Sequence, residues 1–363
     1  MVELIRGNSP LAPEPERLYS SLRVSAKVFG AYKHLVAASR LAARLSAPNP
    51  VRYTGFDLNL HIDSITTEAQ DVVSLTFTAP DGAELPRWVP GSHLDLFLPS
   101  GRQRQYSLCG DPQDRHRYRI AVRHIHDGGG GSKEIHESLA VGDMVHIRGP
   151  RNAFRLADAD SYLFIAGGIG ITPILPMAQA AHRAGKPWRM VYLGRTRASL
   201  PFLDELAKLT AGQLDIRTDD EHGIPDMTEI LREVPETEAV YLCGPTSLLT
   251  AAHRLMPGGS RAELHTERFS PPPVAGGEPF RIELERSGCA VEVGADESAL
   301  SAIRRVKPDI GYSCQQGYCG TCMVKVSSGE VEHRDTKLLD TERAAGGMLI
   351  CVSRAKGRLT LDL

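Results

Sequence analysis

The chain has no run of about 18 apolar residues, so nothing in it reads as a membrane-spanning helix. Its start, Met1-Val2-Glu3-Leu4-Ile5-Arg6, has none of the apolar core of a secretory signal. It has no basic excess either: the formal net charge is −2, which argues against a nucleic-acid binder. Cysteine is scarce and odd in number, seven in 363 residues, which suits a disulfide framework poorly. Only one C-x2-C knuckle is present, whereas a four-cysteine zinc site usually pairs two. No general acid–base pair stands out. What is there is ordinary for a soluble chain, 42% hydrophobic and 24% charged residues, at a length suited to two or three domains. The expected compartment is the cytoplasm, where thiols stay reduced.

Four of the cysteines carry the strongest signal. Cys314, Cys319 and Cys322 are spaced C-x4-C-x2-C, and Cys351 follows after 28 residues. That spacing is the plant-type [2Fe–2S] pattern, in which three thiolates from one tight loop and a fourth from downstream surround two irons. Such a loop must visit φ > 0, and Gly317 and Gly320 stand where it would.

Along the chain, Pro10, Pro13 and Pro15 give a loose arm, followed from Leu18 to Leu45 by a helical pattern with basic residues on several sides. This helix could dock a membrane or a partner through Arg40 and Arg44. The blander reading, preferred here, is that Phe29, Tyr32 and Val36 pack on the protein's own body. From Phe56 to Phe154 short alternating segments such as Leu58–Ile62 and Val73–Thr78 predict a closed β-barrel. It contains Arg104-Gln105-Tyr106-Ser107 and the run Gly128–Gly131 leading into a helix with Ser132 as N-cap. Free amides there suit a phosphate, although four glycines suit a hairpin tip equally.

From 155 to 270, strand–turn–helix units predict a parallel sheet with ligands at the strands' carboxyl ends. The turn Gly167-Gly168-Ile169-Gly170-Ile171-Thr172-Pro173 is not the Rossmann G-x-G-x-x-G, yet it allows a pyrophosphate on a helix N-terminus, tight packing being the alternative. A proline-rich linker, 271–278, precedes an α+β domain at 279–363 that holds the cysteine loop.

Arg104-x-Tyr106-Ser107, the 167–173 turn, Cys243-Gly244-Pro245 and the cysteine loop, in that order, resemble the phthalate dioxygenase reductase / vanillate demethylase reductase family of the ferredoxin–NADP reductase superfamily. The resemblance covers residues 55–363 and leaves an N-terminal helical extension, 1–54, unexplained. It implies an FMN-binding barrel at 55–154, an NAD-binding domain at 155–270 and a β-grasp ferredoxin domain at 279–363. It implies that Arg104, Gln105, Tyr106, Ser107, Val122, Gly131 and Ser132 hold FMN, and that Phe269 covers its ring. Gly168, Gly170, Thr172, Arg195, Cys243, Gly244 and Pro245 would serve the nucleotide; Cys314, Cys319, Cys322 and Cys351 would ligate the [2Fe–2S] cluster. The catalytic residues implied are Ser107 near flavin N5, Cys243 orienting the nicotinamide, and Phe269 yielding to it. Gln315 departs from the family's usual glutamate.

A nicotinamide gives two electrons as hydride while such a cluster accepts one, so a flavin must stand between them. The expected function is NADH-dependent electron delivery, by a monomer, to a terminal oxygenase, either Rieske non-haem iron or cytochrome P450. Arg195 and Arg197 could take a 2′-phosphate or merely the pyrophosphate; relatives with a similar segment favour NADH, the coenzyme expected here. A self-contained flavin or quinone reductase, and a ferredoxin-like carrier without its own NADH oxidation, are the competing readings.

Overall fold

Residues 56–126, 128–256 and 262–363 are described by the computed structural model, and all belong to one compact unit. The helix expected between residues 18 and 45 lies outside them.

The first layer is a six-stranded antiparallel sheet of β1 (Phe56–Ala69), β2 (Val72–Thr78), β3 (Ser92–Phe97), β4 (Gln103–Ser107), β5 (Arg117–Arg123) and, after helix α1 (Gly131–Ser138), β6 (Met144–Asn152). The strand order is β4-β3-β6-β1-β2-β5, and an antiparallel bridge between Leu108 and Ile120 brings its two ends together. Period-two apolar pairs explain the closure: Leu60/Ile62, Leu75/Phe77, Leu94/Leu96 and Val145/Ile147 all point inward and are buried. The expected barrel is therefore present.

The second layer is a parallel sheet, ordered β11-β10-β7-β8-β9. Its strands are β7 (Ser161–Gly167), β8 (Trp188–Gly194), β9 (Gln213–Thr218), β10 (Glu238–Cys243) and β11 (Leu264–Glu267). Central strands β7 and β10 read as continuous apolar runs because both faces are covered. Helices α2 (Ile171–Arg183), α3 (Leu203–Ala207), α4 (Asp219–His222), α5 (Met227–Leu231) and α6 (Thr246–Leu255) connect them. Chain direction diverges at β7, with β8 on one side and β10 on the other, which opens a crevice at the strands' carboxyl ends.

The third piece is a mixed sheet ordered β13-β12-β16-β14-β15. Its elements are β12 (Phe280–Leu284), β13 (Cys289–Val293), helix α7 (Ala299–Arg304), β14 (Met323–Glu332), helix α8 (Asp340–Ala344), β15 (Gly347–Leu349) and β16 (Arg354–Leu361). Ser298 caps α7 by accepting from the Ser301 amide.

The two junctions differ in kind. The barrel and the parallel sheet share one apolar core, in which Val72, Cys109 and Ala121 pack with Phe154, Ile174 and Phe202. Arg119 adds a two-pronged pair with Glu205, at 2.6 and 2.9 Å, and lies over the Phe202 ring. The junction between the barrel and the third domain carries a polar network instead.

Within the third domain, Arg354 is 1% exposed, and its guanidinium donates to the carbonyls of Glu297, Glu278 and Gly294 at 2.5, 2.8 and 2.9 Å. Arg354→Met is expected to leave these carbonyls unsatisfied and cost about 3 kcal/mol. Urea unfolding followed through the cluster's visible absorbance checks this, and a loss below about 1 kcal/mol would contradict it.

Candidate electron-transfer site

The cysteine loop runs between α7 and β14. Gln315, Gly317 and Gly320 take φ of 55°, 80° and 81°, which folds the loop back on itself as the glycine spacing predicts. The Gln316 and Thr321 amides point at the Cys314 and Cys319 sulfurs, at 3.3 and 3.5 Å. The Cys314 and Cys319 thiols meet, which lowers Cys319 and raises Cys314. Cys351 likewise meets Cys322. None of the seven cysteines is in a disulfide. Four converging thiols with amides aimed at sulfur are a donor set that fits a [2Fe–2S] cluster. Cys314, Cys322 and Cys351 are buried and Cys319 is half-buried, so one edge of the site faces outward.

Against the barrel, this loop seats on a buried polar network. Ser313 Oγ donates to Asp95 Oδ1 at 3.0 Å and accepts from Arg151 Nη2 at 2.7 Å and Gln105 Nε2 at 3.1 Å. Arg151 also pairs directly with Asp95, which is fully buried. Gln103 Nε2 donates to the Tyr312 carbonyl at 2.7 Å, and the Tyr312 hydroxyl returns a bond to the Gln103 carbonyl. His93, beside the pair, is held neutral: burial and then the Arg151 charge lower it to about 3.

A cavity of about 240 Å³ lies at this junction, lined from one side by Arg104 and Gln105 and from the other by Phe269, Tyr312 and Cys314. Arg104 leans on the glycine run, donating to the Gly129 carbonyl at 2.8 Å. A Cβ at Gly131 would come within 2.3 Å of Arg104 Nε, so only glycine allows this approach. Helix α1 starts two residues earlier than expected, after Gly130 at φ 78°. Ser132 is thus inside the helix rather than its cap, and its hydroxyl accepts from the Ile125 amide at 3.1 Å. Tyr106 packs on the barrel core, where burial raises its phenol, and the Val122 side chain lies within that core. A cationic side chain over exposed loop carbonyls and amides, next to an aromatic ring, suits a flavin phosphate and ring.

A second cavity, of about 540 Å³, occupies the crevice of the parallel sheet. Gly168, Arg195 and Pro245 line it, with Thr196, Ser199 and Asp219. Thr172 and Gly170 do not line it. The Thr172 hydroxyl donates to the Ile169 carbonyl at 3.0 Å, and a Cβ at Gly170 would meet the Cys243 carbonyl at 2.2 Å. Both therefore build the turn.

Cys243 and Glu267 are register partners on β10 and β11, and Ser107 Oγ donates to Glu267 Oε2 at 3.5 Å. Burial pushes the Glu267 carboxyl up to about 8, against the Ser107 bond, and raises the Cys243 thiol. Burial raises the phenol of Tyr318 in the cysteine loop. Phe269 stands two residues beyond Glu267, 49% exposed, and the Arg268 carbonyl accepts from Gln316 at 2.6 Å.

Sequence reasoning passed over Glu267, Asp95, Arg151 and Ser313 as site residues. Asp95 carried a signal, being an acid at the centre of the apolar strand Ser92–Phe97, where a charge must find a partner.

Residues 282–356 match the 2Fe-2S iron-sulfur cluster binding domain family, and residues 59–156 match the oxidoreductase FAD-binding domain family. Phenoxybenzoate dioxygenase subunit beta of Ectopseudomonas oleovorans is 39% identical over 314 residues, covering 84% of this chain and 97% of that one. Phthalate dioxygenase reductase of Burkholderia cepacia is 36% identical over 315 residues, covering 84% and 97%. A solved phthalate dioxygenase reductase superposes with a TM-score of 0.64 at 37% identity, covering 85% of this chain and 98% of that chain. Full-length CYP116B46 of Tepidiphilus thermophilus gives 0.65 at 39% identity over 88% of this chain, which spans 44% of that longer protein.

Glu267 yields a pH prediction. The folded chain keeps this proton up to about 8, whereas the unfolded chain releases it near the ordinary 4.5. The extra stability is therefore full below that window and is lost as pH rises through it. Melting curves below and above the window should show a fall in the wild type that Glu267→Gln lacks; parallel curves would contradict the assignment.

Proposed function

Because the chain belongs to the phthalate dioxygenase reductase family of oxygenase reductases, we propose that it takes electrons from NADH and delivers them, through FMN and a [2Fe–2S] cluster, to a terminal oxygenase of the Rieske or cytochrome P450 type. A bound flavin converts two-electron hydride chemistry to one-electron chemistry, and the cluster carries single electrons onward.

The observation that carries this reading is the shared cavity: flavin-side Arg104 and Gln105 and cluster ligand Cys314 line the same space. Arg104 and the backbone around Gly131 would hold the flavin phosphate, with Gln105, Tyr106 and Ser107 along the ring. Cys314, Cys319, Cys322 and Cys351 would hold the cluster, whose outward edge at Cys319 is where a protein acceptor would dock.

The remaining residues manage the coenzyme. Gly168 and Pro245 leave the crevice open to a pyrophosphate, with Arg195 as its charge partner. Asp219 in the same crevice would repel a 2′-phosphate, which supports NADH over NADPH. Phe269 covers the flavin site until a nicotinamide displaces it. Cys243 would lie beneath that ring, and Glu267, its register partner, holds a proton at neutral pH within reach of the Ser107 hydroxyl.

No described helix is long and apolar enough to cross a membrane. A monomer working in the cytoplasm, where reducing conditions preserve cluster thiols, is the setting we propose. A self-contained reductase of small molecules gains no support from a cluster site built into a separate domain with an outward edge.

The test is Cys319→Ser assayed with NADH. Reduction of cytochrome c, which draws on the cluster, should be lost, while reduction of ferricyanide at the flavin should persist and should favour NADH over NADPH in kcat/KM. Loss of both activities in a folded, flavin-loaded variant would overturn the proposal.

A further inference from the structure

The β1–β2 turn and the end of β5 meet beside the coenzyme crevice and bring together three side chains that the electron-transfer chemistry does not use. Asp71 sits in the turn at φ 60°, a left-handed conformation that aspartate tolerates better than most residues. Its carbonyl accepts from the His124 amide at 2.7 Å, which fixes the two segments side by side. The His124 and His126 rings stand edge to face, with centroids 4.3 Å apart. One carboxylate oxygen of Asp71 and one nitrogen from each imidazole lie within 4.8 Å of one another.

His124 Nε2 is buried and has no hydrogen-bond partner. Leaving such a nitrogen unpaired is unfavourable, so a group that satisfies it is favoured. His136 packs 5.0 Å from His124, but its own Nε2 is engaged by the Val122 carbonyl at 2.9 Å and is not a fourth ligand.

We propose that Asp71, His124 and His126 form a binding site for a borderline divalent transition-metal cation of the zinc class. Two imidazoles and one carboxylate are the ligands such an ion takes when a fourth position stays open to water. Magnesium and calcium demand oxygen donors and are disfavoured by the two nitrogens. Ligand bonds of about 2.0–2.2 Å require the three donor atoms to draw somewhat closer. Asp71 and His126, both exposed, have room for that adjustment. Asp71 also lines the coenzyme crevice with Arg123, so a bound ion would sit at its rim and tie the β1–β2 turn to the segment leading into α1.

The test is calorimetric titration of the untagged holoprotein with ZnCl₂, with the visible spectrum followed to confirm that the cluster stays intact. One ion per chain is expected, with affinity falling about tenfold or more in His126→Ala. Asp71→Asn, which keeps the left-handed turn, should weaken binding in the same direction. Both substitutions are at exposed positions, and unchanged melting temperatures would show that the fold is kept. Absence of saturable binding to the wild type, or equal affinity in the wild type and both variants, would overturn the proposal.

Discussion

Ser313 is the point on which the arrangement depends. Its hydroxyl sits between a buried carboxylate and a buried guanidinium, Asp95 and Arg151, and takes a third bond from Gln105. The next residue in the chain is a cluster ligand, and Gln105 belongs to the strand that faces the flavin site. One side chain thus ties the two cofactor sites to a common charge pair. Losing a partner from such a pair leaves an uncompensated buried charge, at about 3–5 kcal/mol, so the docked position is strongly preferred over a displaced one.

The two interdomain junctions follow different physics, and the difference matches what each must do. The barrel and the parallel sheet share an apolar core, which gives a fixed distance between flavin and coenzyme sites. The network that seats the ferredoxin domain on the barrel is polar and directional. Hydrogen bonds fix orientation better than apolar area does, and orientation is what places Cys314 on the wall of the flavin cavity. Gln316 continues this logic, since it donates from the cysteine loop to the Arg268 carbonyl just beyond β11.

Much of this was legible in the residues. The cysteine spacing dictated the loop, the period-two pairs dictated the barrel, and the apolar runs of β7 and β10 dictated a covered parallel sheet. Local signals sufficed because each element's burial pattern is written in its own segment. The docking network was not legible. Asp95, Arg151 and Ser313 lie far apart in sequence, and no local rule says that a serine before a cysteine will meet an acid in a distant strand. Ser132 shows the opposite error. A good capping residue was displaced because Gly130 could adopt φ 78° and start the helix earlier. Thr172 and Gly170 stand in a turn whose motif suggested ligand contact, yet their side-chain positions are consumed in building it.

The most direct test of the account is Ser313→Val, which places a methyl where the hydroxyl bridges Asp95 and Arg151. In protein with full flavin and iron content, NADH-driven reduction of cytochrome c should fall about tenfold relative to reduction of ferricyanide, as a small misplacement of the cluster domain would cause. An unchanged ratio of the two activities would contradict the claim that this network sets the path of the electrons.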